Sequence, residues 1–157
     1  MRNLDKYDVI VCDIDDTLIH GFWTDLMRVT WDRFQCNPLS DLLMWLQAKF
    51  KIYKVNQKVR HILLNSRAKI VFLTARKRCT ATVKLLLDIM GMKKGFELCE
   101  MQTSNPAVDK GNYVVRAILA NNLDCLVIDD NDAVRKQMDI MEVDTIDPRL
   151  LIEELIG

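Results

Sequence analysis

Short apolar runs that alternate with helix-like stretches constrain this chain more than any other feature. Four are rich in Val, Ile and Leu: residues 8–12 (DVIVC), 69–73 (KIVFL), 96–101 (FELCEM) and 125–128 (CLVI). A weaker fifth spans 143–146. Runs this short with β-branched side chains read as strands buried on both faces of a parallel sheet. Between them, apolar residues recur at helical spacing. Residues 56–65 carry Val59, Ile62, Leu63 and Leu64; 80–90 carry Val83, Leu86, Leu87 and Met90, with Gly91 as a C-terminal stop. Residues 109–121 carry Tyr113, Val114, Ala117 and Ile118, with Lys110 at the opening of that helix, and 133–141 and 149–156 follow. Strands alternating with helices predict an open α/β sheet.

One segment breaks the alternation. More than fifty residues separate the first two runs, too many for one crossover. Thr24 can cap a helix presenting Met27, Trp31 and Phe34. Ser40 can cap a second presenting Leu43, Leu46 and Phe50, with Pro38 between them. The expectation is one domain over 1–157, a three-layer, Rossmann-like open parallel sheet, with a small helical cap insert after the first strand at about 22–52. A chain of 157 residues can bury a full core without disulfides or metals. Its five cysteines are odd in number and form no CxxC pair, which suits a reducing compartment, and the chain reads as cytoplasmic. No apolar run approaches the roughly 20 residues of a bilayer span, and Asp5, Lys6 and Asp8 interrupt any signal-peptide pattern.

In such sheets ligands sit beyond the carboxyl ends of the strands, at the switch point. The first strand runs into Asp13-Ile14-Asp15-Asp16-Thr17, the second into Thr74-Ala75-Arg76 and the fourth into Asp129-Asp130-Asn131-Asp132. Carboxylates gathered there would repel by roughly 4 kcal/mol per pair at 4 Å and an effective dielectric of 20. A compensating cation is implied, and Mg²⁺ suits it, because it takes oxygen ligands and commonly shares them with a substrate phosphate. Lys110 and the Thr74 hydroxyl could hold phosphoryl oxygens. One carboxylate could attack phosphorus, and another two residues on could protonate the leaving oxygen and later deprotonate water.

These residues resemble the motifs of the haloacid dehalogenase (HAD) superfamily of phosphohydrolases, in the family's order. Residues 9–17 (VIVCDIDDT) are similar to hhhhDxDxT, 71–74 (VFLT) to hhh[ST], then Lys110, then 126–130 (LVIDD) to hhhDD. The resemblance covers nearly the whole core and implies the HAD fold. It implies Asp13 as nucleophile and metal ligand, and Asp15 as general acid/base that lends its backbone carbonyl to the metal. Thr17 would orient Asp15 and border the substrate. Thr74 and Lys110 would bind the transferring phosphoryl group. Asp129 would be a Mg²⁺ ligand, with Asp130 supporting the metal waters and Lys110. Asp16 stands where the family often has Gly. The second Asp of the motif is the phosphatase version, which disfavours dehalogenation.

Charge is balanced overall, 22 cations against 22 anions, which excludes a grossly basic nucleic-acid binder but not a local patch. It is unevenly spread. Residues 43–87 hold no acid and 11 of the 22 cations; from Glu97 onward there are 13 acids against 5 cations. That asymmetry suggests a polyanionic partner. Arg76, Lys77 and Arg78 are its sharpest part. They fall on the ligand side of the second strand and just before a helix, where cations oppose the dipole, and they are candidate substrate-binding residues. The stretch around Thr74-Ala75-Arg76 is most similar to the phosphatase half of phage polynucleotide kinase 3′-phosphatases, although Pro106 stands where those have an acid one turn before the motif Lys.

The expected function is a Mg²⁺-dependent phosphomonoester hydrolase acting through an aspartyl-phosphate, on a nucleotide or a nucleic-acid 3′-phosphate end. The alternatives are a small-metabolite phosphatase of the same superfamily and a non-catalytic phospho-accepting or binding module on the same core. A receiver domain would need a lone Asp after the third strand, where the sequence reads Gln102-Thr103-Ser104-Asn105, and its Lys near the fifth. Trp23, Trp31, Trp45, His20 and His61 are expected to be structural. Oligomeric state is not encoded in any pattern of the chain.

Overall fold

The computed structural model describes residues 4–20, 45–46, 49–74, 80–91, 96–100 and 105–151. Within these, five strands form one parallel sheet: β1 (Val9–Cys12), β4 (Lys69–Thr74), β5 (Phe96–Glu100), β6 (Cys125–Ile128) and β7 (Asp144–Ile146), in the order β5-β4-β1-β6-β7. The four main runs and the weaker fifth each become a strand.

Each strand alternates its apolar side chains between two cores. Ile10, Cys12, Ile70, Phe72, Leu126 and Ile128 face one. Here α1 (Gln57–Asn65) and α2 (Thr80–Met90) supply Val59, Ile62, Leu63, Leu85, Leu86 and Ile89. Val9, Val11, Val71, Leu73, Cys125 and Val127 face the other. There α3 (Pro106–Tyr113) and α4 (Asp132–Ile140) pack with Val114, Ile118, Val134 and Met138. These are the three expected layers, with strands apolar on both faces because helices cover both.

The helix starts follow local chemistry. Asn56 caps α1 by accepting from the backbone N–H groups of Lys58 and Val59. Gly91 follows α2 at φ +69°, a left-handed stop that costs glycine little. The helix expected over 109–121 begins earlier. Asn105 accepts from the Val108 N–H and Pro106 opens α3, because proline at the first helical position gives up only an N–H that has no partner there anyway. Lys110 is therefore the fifth residue of α3 and not its opening. The helix continues as a π-turn, Val114–Ile118, and a 3-10 turn, Leu119–Asn121, before Asn122 turns left-handed at φ 54°.

A two-stranded antiparallel ribbon, β2 (Ile19–His20) with β3 (Lys54–Val55), was not expected. Strands of two residues are too short to show a period. The ribbon brings the chain leaving the β1 loop alongside the chain re-entering before α1, and the Asn56 N–H donates to the Leu18 carbonyl at 2.8 Å. Most of the expected insert, with Trp23 and Trp31, lies outside the described residues, as do Arg76, Lys77, Arg78 and residues 152–156 of the expected final helix. Residues 45–46 and 49–50 are helical. Among the described residues no helix is long and apolar enough to cross a membrane.

Candidate active site

The chain leaves β1 towards β4 and β5, then returns to the other side for β6 and β7, so the order reverses between β1 and β6. Register does the rest. Cys12 pairs with Ile128, and the Asp13 N–H donates to the Ile128 carbonyl at 2.9 Å. Asp13 and Asp129 are the next residues on neighbouring parallel strands, whose axes run about 4.8 Å apart. The alternation that turns Val11 and Val127 towards α3 and α4 turns these two carboxylates the same way.

Lys110 meets them from α3. Its Nζ donates to Asp13 Oδ1 at 2.7 Å and to Asp129 Oδ2 at 2.6 Å. All three side chains are nearly sealed from water: Lys110 is 4% exposed, Asp129 1% and Asp13 9%. Gly111 next to Lys110 lets α3 lie close on α4; a Cβ there would stand 3.1 Å from Gln137 Cγ.

Asp130 completes the group. One carboxylate oxygen from each of Asp13, Asp129 and Asp130 lies within 4.8 Å of the others. The Asp15 carboxylate stands outside this trio, which leaves its main-chain carbonyl as the contribution the family resemblance implies. Three carboxylates against one ammonium leave two negative charges in a nearly dry pocket. The consequences show in the protonation of the groups. Burial, and then the charge of Asp13, push the Asp129 carboxyl up to about 6, against the opposing pull of Lys110 and the Asn131 N–H. Burial alone would lower the Lys110 ammonium, but Asp13 and Asp129 outweigh it and hold its pKa above the ordinary lysine value. The donor set is all oxygen, anionic and short by two positive charges, so it fits a hard divalent cation such as Mg²⁺.

Thr17 has no exposed surface. Its Oγ1 accepts from the Asp130 N–H at 3.0 Å and donates to Asp130 Oδ1 at 3.4 Å. It thereby ties the β1 loop to the β6 loop. Asp16 sits at φ 58°, the left-handed conformation that explains glycine's place in the family motif; Asp tolerates it better than most side chains. Its carboxylate meets His20 Nδ1 at 2.7 Å, which gives His20 a structural role. Thr74 closes β4, buried at the same edge of the sheet, two residues beyond Phe72, the β4 partner of Cys12. Arg76, Lys77 and Arg78 lie outside the described residues.

Three residues at the site carry no motif. Arg135 Nη1 donates to the Asp129 carbonyl at 2.8 Å, and its Nη2 lies 3.1 Å from Asp147 Oδ2. Arg149 clasps the same Asp147 carboxylate and donates to the Asp130 carbonyl at 3.3 Å. Only Arg135 left a trace in the sequence, as a cation four residues into a helix, where it sits near the positive end of the dipole.

No family model and no curated protein matches the sequence. Among solved structures, the HAD domain of effector protein Lem4 from Legionella pneumophila is similar, with a TM-score of 0.52 at 13% identity over 90% of this chain and 85% of that one. An inactive mutant of the same domain gives 0.53 at 15% identity, over 90% of this chain and 84% of that one. The chain has the α/β fold of these HAD domains.

Proposed function

We propose that this protein is a Mg²⁺-dependent phosphomonoester hydrolase that works through a phosphorylated Asp13. The observation that carries this is the buried meeting of Asp13 and Asp129 on adjacent strands with Lys110 between them. A fold that places like charges together in the dry interior does so against a cost, and such clusters concentrate at functional sites.

An Asp13 carboxylate oxygen attacks phosphorus, the ester P–O bond breaks, and Asp15 gives the departing oxygen its proton. Asp15 then takes a proton from water, the water oxygen attacks phosphorus, and the acyl-phosphate bond breaks to release phosphate and restore Asp13. Lys110 and Thr74 hold phosphoryl oxygens and offset their charge. A Mg²⁺ held by Asp13, Asp129 and Asp130, with the Asp15 carbonyl, would neutralise the site and draw charge from the phosphoryl oxygens.

For the substrate we favour a nucleotide or a nucleic-acid 3′-phosphate end, as in the phage 3′-phosphatases. Not every cation of the basic stretch supports this. Arg60 Nε donates to the Ile89 carbonyl at 2.8 Å and Lys69 pairs with Glu97 at 2.6 Å, so both have structural roles. Lys54 is different. It is exposed, and its register with His20 sets it beside the loop that follows Asp13. Lys58 follows in the first turn of α1, and Arg76, Lys77 and Arg78 remain the substrate-binding candidates that the sequence offers. The free thiols Cys12, Cys99 and Cys125 fit a reducing, cytoplasmic setting.

Assay of an aryl phosphate and of a 3′-phosphorylated oligonucleotide, with Mg²⁺ and with EDTA, tests the proposal. Turnover of both that stops in EDTA, with a higher kcat/KM for the oligonucleotide, is expected. Undiminished turnover in EDTA overturns the metal role, and preference for a small sugar phosphate overturns the substrate class.

A further inference from the structure

We propose that Arg135, Asp147 and Arg149 form a brace that sets the position of the Asp129–Asp130 loop, and with it the affinity of the site for Mg²⁺; this rests on the Mg²⁺-dependent chemistry proposed above.

The need for a brace follows from the charges. Asp129 and Asp130 repel Asp13 and each other, and Lys110 offsets only one of the three charges, so without a divalent cation the loop after β6 is under a net push away from β1. Besides Lys110, what resists is its main chain, and almost every polar group of that main chain is held. The Asp129 N–H donates to the Ile146 carbonyl at 3.3 Å. The Asp129 carbonyl accepts from Arg135 at 2.8 Å. The Asp130 N–H donates to Thr17 at 3.0 Å, and the Asp130 carbonyl accepts from Arg149 at 3.3 Å. The Asn131 N–H returns to Asp129 Oδ1 at 2.9 Å.

The two guanidinium groups do not act separately. Asp147 stands one residue past β7, whose Ile146 is in register with Ile128. Its Oδ2 is 3.1 Å from Arg135 Nη2 and 2.5 Å from Arg149 Nη2, and its Oδ1 accepts from Arg149 Nε at 2.8 Å. One carboxylate just past β7 thus aims two arginines at two consecutive carbonyls in the loop after β6. The side chains of Arg135 and Asp147 are only 12% and 11% exposed, whereas that of Arg149 is 64% exposed. A pair so withdrawn from water holds its geometry more firmly than an exposed one, so Arg135 and Asp147 dominate and Arg149 contributes less. These are positioning residues: none is a carboxylate of the metal trio or a group that touches phosphorus. Partners of metal ligands commonly change metal affinity 10–100-fold when removed.

The test is calorimetric titration of MgCl₂ into the metal-free full chain. Arg135→Lys keeps the charge but loses the fork that spans the Asp129 carbonyl and Asp147. It is expected to weaken Mg²⁺ binding roughly tenfold or more, with Asp147→Asn similar and Arg149→Met smaller. The Mg²⁺ concentration for half-maximal activity should rise by the same factor, and kcat at saturating Mg²⁺ should fall by much less. Val143→Ala, a core truncation at the other end of β7, is expected to lower Tm without moving Mg²⁺ affinity. If Arg135→Lys does not fold, Asp147→Asn and Arg149→Met decide the matter by the order of their losses. Mg²⁺ affinities within about twofold of wild type in the brace variants, or an equal loss in Val143→Ala, overturn the brace alone. A wild-type chain that takes up no Mg²⁺ overturns the metal-dependent reading, and the brace with it.

Discussion

The loop that follows β1 has two sides, and they are built to different standards. Towards α3 and α4, Asp13 meets Lys110 and Asp129 in a pocket almost closed to water. There position is set by strand register, by the alternation of buried side chains and by hydrogen bonds to main chain. Towards β2 and β3, His20 and Lys54 are exposed on a two-residue ribbon. The contrast teaches where chemistry and selection reside. A reacting group needs a fixed position and a controlled charge, which burial supplies. A surface that meets a substrate can rest on solvated cations, each contributing little and each easily replaced.

Asp13→Asn tests the buried side most severely, because the amide is a poor nucleophile. Turnover of an aryl phosphate should fall by at least about a thousandfold, within the scale of losing a covalent nucleophile. The fold should persist, since Lys110 keeps its contact with Asp129. Activity near wild type would remove the distinction between the two sides. Lys110→Met should be next. It leaves two buried carboxylates without their shared cation and should destabilise the metal-free chain by about 3–5 kcal/mol in urea unfolding, with part recovered on adding Mg²⁺. A loss no larger than that of an exposed lysine would mean that burial does not set this site apart.

The pH dependence sharpens the contrast further. Burial and the neighbouring Asp13 charge push the Asp129 carboxyl up to about 6, above its ordinary value. Between the two values the native state holds more protons than the unfolded chain, so metal-free stability from this group falls as pH rises towards about 6 and is level above it. Measured against Asp129→Asn, wild type in EDTA should lose relative stability over that interval. Mg²⁺ affinity should weaken as pH falls through the same range, because protons compete for Asp129. A difference between the two proteins that does not change with pH would contradict the charge balance drawn here. The smallest effects belong to the exposed side. Lys54→Ala should lower kcat/KM about twofold on an oligonucleotide and leave the aryl phosphate almost untouched, with the difference shrinking at high salt. Equal losses on both substrates would remove the case for a polyanion.

The same division runs through what was legible in the sequence. The β1, β4 and β6 runs were readable because a strand buried on both faces must be apolar at every position. Asp13, Thr74 and Asp129 could be located because they stand at the ends of those runs. Lys110 was found by its place in the motif order, although Pro106 and Asn105 start its helix earlier than apolar spacing alone indicates. The β2–β3 ribbon escaped because two residues carry no period. Asp147 and Arg149 escaped for a different reason: their importance comes from the register of β7 against β6, a long-range fact with no local signature. Thr17 was recognised by position, but its partner, Asp130, is 113 residues away and emerges only in three dimensions.

If Asp13 carries the phosphoryl group between substrate and water, the covalent intermediate can be trapped. Asp15→Asn should slow the second step more than the first when the leaving group is a good one, so the intermediate accumulates. Acid quench of that variant with an aryl phosphate and Mg²⁺, followed by peptide mass spectrometry, should find one phosphoryl group on Asp13, labile to hydroxylamine and missing from Asp13→Asn. Turnover by wild type with no adduct on Asp13 under these conditions, or an adduct on another residue, would rule out Asp13 as the carrier.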